Sequence, residues 1–264
     1  MIRRPLPIVF AILLLLTMTI FGCVSVTGPN ARVVDKEKAL DSLIDLGMAY
    51  LNQGDRENSR RNFEKALEID KNSSRAHNGL ALLYQMNSEV ALAEKSFMRA
   101  LDEDKGYTSA RVNYGLFLYE QKRFQEAYGS FVRASEDLSH SQRAQVLAYL
   151  GQAAKQIGNL DRAKAAFEHS LNIDGKLPLP LLELAEISFA SKDYVSAKRY
   201  LDRYDIVAKS SPRKLLLGIQ IERVFGNKNK EASYILALKN LYPYSKEYLE
   251  YKKLVDEQVS TDEK

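Results

Sequence analysis

An all-α chain of stacked helix pairs is the fold class that this sequence predicts, and three recurring columns of residues predict it. The first column is a large residue followed by a small one: Leu46-Gly47, Leu80-Ala81, Tyr114-Gly115, Leu150-Gly151, Leu184-Ala185 and Leu217-Gly218. The second column is small, running Ser59, Ala93, Ala127, Ala163, Ala197 and Ala232. The third is large and apolar, running Phe63, Phe97, Phe131, Phe167, Leu201 and Leu236. Its steps are 34, 34, 36, 34 and 35 residues, the period of a two-helix repeat and too regular for a bundle with accidental periodicity.

Within the first period, Leu43, Leu46, Gly47 and Tyr50 fall on one face of a helix, and Ser59, Phe63, Ala66 and Leu67 do the same on a second. Small residues at 47, 59 and 66 let two backbones approach, while Tyr50 and Phe63 fill the space between adjacent pairs. Each pair then needs a neighbour to bury its second face. The pattern resembles the tetratricopeptide repeat, met nearly in full by residues 40–73, 74–107, 108–143 and 144–177, and more weakly by 178–210 and 211–244, where Leu201 and Leu236 stand in the place of Phe. The resemblance implies a superhelical solenoid of about six helix pairs.

Taken from its start, the chain opens differently. Arg3 and Arg4 precede an uncharged apolar run, Ile8 to Phe21, and Gly22-Cys23 follows, so residues 1–22 read as an export signal. The run has 14 residues, short of the roughly 20 that cross a bilayer. Cys23 is the only cysteine among 264 residues, which excludes an intramolecular disulfide and a cysteine zinc cluster. Ile20-Phe21-Gly22-Cys23 resembles a bacterial lipobox, in which the cysteine is acylated and becomes the first mature residue; Phe21 departs from the small residue usual there. No Asp follows the cysteine. The lipoprotein rule therefore points to the outer membrane, with the solenoid facing the periplasm and held to the bilayer through Cys23.

Residues 23–34 are rich in turn formers (Ser25, Thr27, Gly28, Pro29, Asn30) and read as a tether, with Asp35 as the cap of the first helix. The solenoid is expected over 35–259. Its intra-repeat turns are legible as Gln53-Gly54-Asp55, Asn87-Ser88, Gln121-Lys122-Arg123, Gly158-Asn159, Lys192-Asp193 and Gly226 to Asn229. Gly218 and Ala232 are 14 residues apart where Gly47 and Ser59 are 12 apart, so the last turn is expected to be enlarged. Pro178 and Pro180 suit a first helical turn. Residues 244–259 read as a capping helix and 260–264 as a frayed tail.

Composition excludes several functions. The formal charge of +4 falls to +2 without Arg3 and Arg4, and Lys and Arg are interspersed with Asp and Glu, so no nucleic-acid face is expected. His77, His140 and His169 lie far apart with no metal-binding spacing, and the glycines form no phosphate cradle. No catalytic constellation, cofactor or metal site emerges, and neither an enzyme nor an oligomer is expected. A protein-binding surface remains. Beside the packing stripe of the first helix lies a second apolar stripe, Ile44, Met48 and Leu51; the second unit continues it with Leu82 and Met86, and the third with Val112, Leu116 and Tyr119. The fourth offers Gln145, Ala148, Gln152 and Lys155 instead. These eight apolar residues are the candidate partner groove, the alternative being a stripe buried by tight superhelical coiling or by the Val24 to Val34 segment folding back.

A narrower resemblance rests on Leu46 to Asp55, Asn113 to Leu118, Leu182 to Glu186 with Asp193-Tyr194, Leu217 to Ile221, and Glu231 to Tyr234 followed by Leu241-Tyr242-Pro243. These stretches are similar to the type IV pilus biogenesis and stability lipoproteins of the PilF/PilW group, and the likeness runs from the lipobox to about Tyr248. It implies a pilotin: an outer-membrane adaptor that helps pilus secretin subunits reach the outer membrane and multimerise there. Some members of that group carry a cysteine pair in the middle repeats, which this chain lacks. A repeat scaffold recruiting peptidoglycan hydrolases or synthases is the alternative with the same fold and anchor.

Overall fold

Each predicted period is a helical hairpin. The computed structural model describes residues 29–262, which hold thirteen α-helices and no strand. The hairpins are α1 (Pro29–Asn52) with α2 (Arg56–Ile69), α3 (Ser74–Met86) with α4 (Val90–Glu103), α5 (Thr108–Glu120) with α6 (Phe124–Ser135), α7 (Arg143–Gln156) with α8 (Leu160–Ile173), α9 (Pro178–Ala190) with α10 (Tyr194–Val207), and α11 (Pro212–Val224) with α12 (Lys228–Leu241); α13 (Lys246–Asp262) follows. The export signal and Cys23 lie outside the described residues. The chain divides into two compact units, residues 1–71 and residues 72–264.

The six hairpin turns share one geometry. In each, three residues separate the helices and the middle one is left-handed: Gly54, Ser88, Lys122, Gly158, Lys192 and Gly226, with φ between +60° and +79°. The third residue donates its N–H to the carbonyl five residues back, from Asp55 to Tyr50 through Asn227 to Glu222, at 2.8–2.9 Å. This bond satisfies a carbonyl at the helix end that otherwise lacks a partner. Asp55, Asn159, Asp193 and Asn227 then cap the second helix by accepting from the N–H three residues on. At Lys122 the side chain gains nothing from the turn and bears its strain. Lys122→Gly is therefore expected to raise stability by about 1 kcal/mol, read as a higher urea midpoint; an unchanged midpoint counts against strain there.

All the hairpins but the fifth, where Leu201 stands opposite Ala185, close on a small residue set against a ring. A Cβ on Gly115 would meet Phe131 Cε1 at 2.6 Å, and one on Gly151 would meet Phe167 Cε1 at 2.5 Å. Phe63, Phe97, Phe131 and Phe167 have no exposed surface at all. Within residues 72–264 the helices pack chiefly on those one or two places away in the chain, α4 on α5 and α3 on α5 for instance, and likewise to α11 on α13. Tyr248 and Tyr251 of α13 pack on the cluster of Leu215, Leu216, Ile219, Tyr234 and Leu238, so α13 covers the last pair.

Three expectations are corrected. α1 begins at Pro29, so Asp35 lies inside a helix rather than capping it. In the sixth pair the ring opposite Gly218 is Tyr234, at 2.7 Å from a built Cβ, and the separation of sixteen residues is that of Gly115 and Phe131. Leu236 is 59% exposed and Ala232 is exposed as well. With Tyr234 as the true partner the last turn is no longer than the others. Finally, α13 continues to Asp262, beyond the expected cap.

Candidate functional site

The first helix of each hairpin presents a face centred on its small residue, and that centre decides which neighbours are covered. Residues three before and four after Gly47 are Ile44 and Leu51, which lie within about 60° of it around a helix. Both are buried, 3% and 5% exposed. Leu46 and Met48 flank Gly47 at about 100° on either side. Leu46 is 49% exposed and Met48 is half-buried. Ile44 and Leu51 are thus corrected from groove to core, and Leu46 from packing stripe to surface. The later equivalent Leu184 is fully buried in one cluster with Phe167 of the preceding pair. No described pair precedes α1.

The same rule holds in residues 72–264. Val112, three before Gly115, is 8% exposed and belongs to the core, where it packs with Ala134 and Val146. Leu82, Leu116 and Tyr119 are half-buried against the cluster around Phe97, Phe117 and Phe131. Tyr119 meets Phe124 edge-on at 5.1 Å between centroids. Met86 is the one candidate of this unit that reaches solvent fully, at 43%. What remains of the candidate groove here is the half-buried Leu82, Leu116 and Tyr119 with the exposed Met86.

Polar links tie neighbouring first helices along this face. Asn113 donates to the buried Asn78 at 3.1 Å, and Gln85 donates to Glu120 at 2.6 Å. Further along, an ion cluster spans α7, α9 and α11: Lys155 donates to Glu183 at 2.6 Å and to Glu186 at 3.1 Å, and Arg213 grips both carboxylates, reaching Glu183 at 2.8 Å. Burial disfavours the charge on Arg213 and Lys155, but the paired carboxylates outweigh it and hold both cations above their ordinary values. Beside this cluster a cavity of about 300 Å³ is walled by Phe189, Arg213, Leu216 and Gln220 with Lys246 and Glu247 of α13. Sequence reading missed the cluster because its members lie 27 to 31 residues apart. The only hint was the charged Lys155 where the first and third units carry Leu51 and Tyr119.

Among the described residues, no group of His, Cys, Asp or Glu is arranged to hold a metal ion. Ser109 Oγ lies 3.5 Å from His140 Nε2, but the nearby Asp137 accepts from Thr108 and Ser139 rather than from the imidazole. Those bonds hold the Asp137 carboxyl at about 2. His140 Nδ1 is buried without a partner, so no carboxylate orients the ring.

Residues 44–108 and 144–177 match family models described as tetratricopeptide repeat. The chain is 38% identical over 243 residues to the type IV pilus assembly protein PilF of Pseudomonas aeruginosa, a match spanning 91% of this chain and 96% of that protein. It is 27% identical over 155 residues to an uncharacterized protein of Haemophilus influenzae, spanning 59% of this chain and 85% of that one. Among solved structures, Pseudomonas aeruginosa PilF superposes with a TM-score of 0.80 at 38% identity, covering 83% of this chain and 99% of that chain. PilW, described as a widely conserved type IV pilus biogenesis factor, superposes with a TM-score of 0.69 at 25% identity, covering 80% and 97%.

Proposed function

Since the chain belongs to the family of type IV pilus biogenesis tetratricopeptide proteins, we propose that it works as a lipid-anchored adaptor at the periplasmic face of the outer membrane, where it binds pilus secretin subunits and promotes their multimerisation. The likeness to a pilus assembly protein over 91% of the chain carries this reading, and it is supported by a lone cysteine directly behind the apolar run read as an export signal. The role needs only a face that accepts an extended segment and a tether that keeps it at the membrane. Cys23 supplies the one point of acylation, and the strip of Leu82, Met86, Leu116 and Tyr119 supplies apolar surface on the first helices. Met48 lies at the margin of the equivalent face in residues 1–71.

Two variants test the two halves of the proposal. Cys23→Ser removes the only thiol and is expected to release the exported protein from the membrane fraction. Met86→Glu places a charge on an exposed site, so stability should stay within about 0.5 kcal/mol while secretin multimers fall. A Cys23→Ser chain that remains in washed outer membranes argues against the anchor. A folded Met86→Glu chain with normal secretin multimers removes the strip from the mechanism, and capture of unchanged peptidoglycan hydrolases or synthases from cells lacking the secretin favours the scaffold reading.

A further inference from the structure

A groove of about 520 Å³ lies between the second helices α4 and α6, away from the face that carries Leu82, Met86 and Leu116. Met98, Leu101 and Lys105 form one wall, Gly129 and Arg133 the other, and Arg111 and Leu118 of α5 the floor. Three cations thus gather in a groove with an apolar base. Two acids also line it, but Glu126 is held by both arms of Arg123 at 2.7 Å, which leaves Asp102 as its other carboxylate. Arg111 donates to the Lys105 carbonyl at 2.6 Å, a neutral acceptor. Burial and then the nearby Arg133 push the Arg111 guanidinium below its ordinary value, with Glu136 acting the other way. An incoming anion would relieve that repulsion.

Gly129 makes the argument more specific. Glycine inside a helix is unfavourable relative to alanine, and at the other close approaches a ring accounts for it. At Gly129 a Cβ would meet nothing within 4 Å. The position two residues before the packing residue in the other second helices holds Arg61, Lys95, Ala165, Arg199 and Ala232, so the repeat itself does not require glycine there. What the glycine does provide is bare backbone on one wall of the groove, where another chain can approach more closely than any side chain permits.

We propose that the α4–α6 groove docks an extended acidic-apolar segment of a partner protein, lying against the backbone at Gly129, with apolar side chains on Met98 and Leu101 and a carboxylate between Arg111 and Arg133. The site is separate from the face on which the secretin reading rests, and stands or falls independently of it.

The test uses the full-length chain and a fluorescein-labelled, C-terminally amidated peptide of alternating leucine and aspartate, with a control in which lysine replaces aspartate. Saturable anisotropy change is expected with the acidic peptide, weaker by about tenfold or more with the lysine peptide and with the Arg133→Glu chain. Gly129→Leu projects a side chain into the groove from a position where its Cβ meets nothing within 4 Å and should weaken the peptide by about tenfold as well. Gly129→Ala should raise the melting temperature while weakening the peptide, a split that a purely structural glycine does not produce. Lack of saturable binding below about 1 mM, or binding indifferent to Gly129→Leu, overturns the proposal. So does a Gly129→Leu chain that keeps the peptide but loses binding to phosphatidylglycerol vesicles or loses self-association, outcomes that assign the groove to a membrane or to a second copy.

Discussion

Phe131→Ala is expected to cost about 3–5 kcal/mol, the range for emptying a fully buried ring site. Phe131 has no exposed surface, lies against Gly115 and sits 5.7 Å from the Tyr149 ring of the next pair, so the change opens space both within its hairpin and between hairpins. Because helices here touch chiefly near neighbours, hydrogen exchange should rise most in α5 to α7 and least in α11 and α12. A uniform rise would mean that residues 72–264 unfold as one block. The complementary change, Gly115→Ala, drives a methyl to 2.6 Å from the same ring and should cost about 1–3 kcal/mol by overpacking. Adding Phe131→Leu recreates the Ala185 and Leu201 pairing of the fifth hairpin, and the double variant should recover part of the loss rather than add to it. Urea denaturation of both single variants and the double one decides this, and simple additivity would show that ring and glycine are not coupled.

Asp205→Ala should have the next largest effect. Lys214 is only 2% exposed, donates to Asp205 at 2.5 Å and lies 4.2 Å from the centre of the Tyr234 ring. Tyr234 also donates its hydroxyl to Asp205, at 3.2 Å. Removing the carboxylate leaves a buried ammonium facing an aromatic ring and frees the Tyr234 hydroxyl. Stranding one partner of a buried pair costs about 3–5 kcal/mol, and the low end applies here because the Asp205 side chain is one-third exposed and water can reach its place. Lys214→Met in the Asp205→Ala background should restore most of the stability, since methionine fills similar space without a charge. Thermal melting of the two chains is the measurement; no recovery would show that the loss came from the Tyr234 bond or from packing.

The helix pairs were legible because their packing residues are extreme in size. Gly47, Gly115 and Gly151 are tolerated mid-helix only against a ring, so their recurrence sixteen residues before Phe63, Phe131 and Phe167 reports the hairpin contact directly. In the sixth pair Ala232 and Leu236 imitated the columns while Tyr234, two residues before Leu236, made the contact; a hydroxylated ring does not look like a core residue, and its bond to Asp205 satisfies the hydroxyl that burial would otherwise strand. The face of α1 was misplaced for a related reason. Its centre, Gly47, contributes no apolar surface, so a stripe drawn through large residues drifts to Leu46 and leaves Ile44 and Leu51 on the wrong side. The Lys155, Glu183, Glu186 and Arg213 cluster joins three helices, and single-chain periodicity has no means of bringing such distant charges together.

The first-helix face of residues 72–264 is not uniform along its length. Leu82, Leu116 and Tyr119 lie on α3 and α5, whereas the Lys155, Glu183, Glu186 and Arg213 cluster occupies α7 to α11. Such a face has a sense, as a printed strip has a left and a right. A segment with greasy residues at one end and charges at the other satisfies it in one heading, while the reversed heading buries charge against Leu116 and strips water from the ion cluster without recompense. Whatever lies along these helices is therefore oriented by them as well as held.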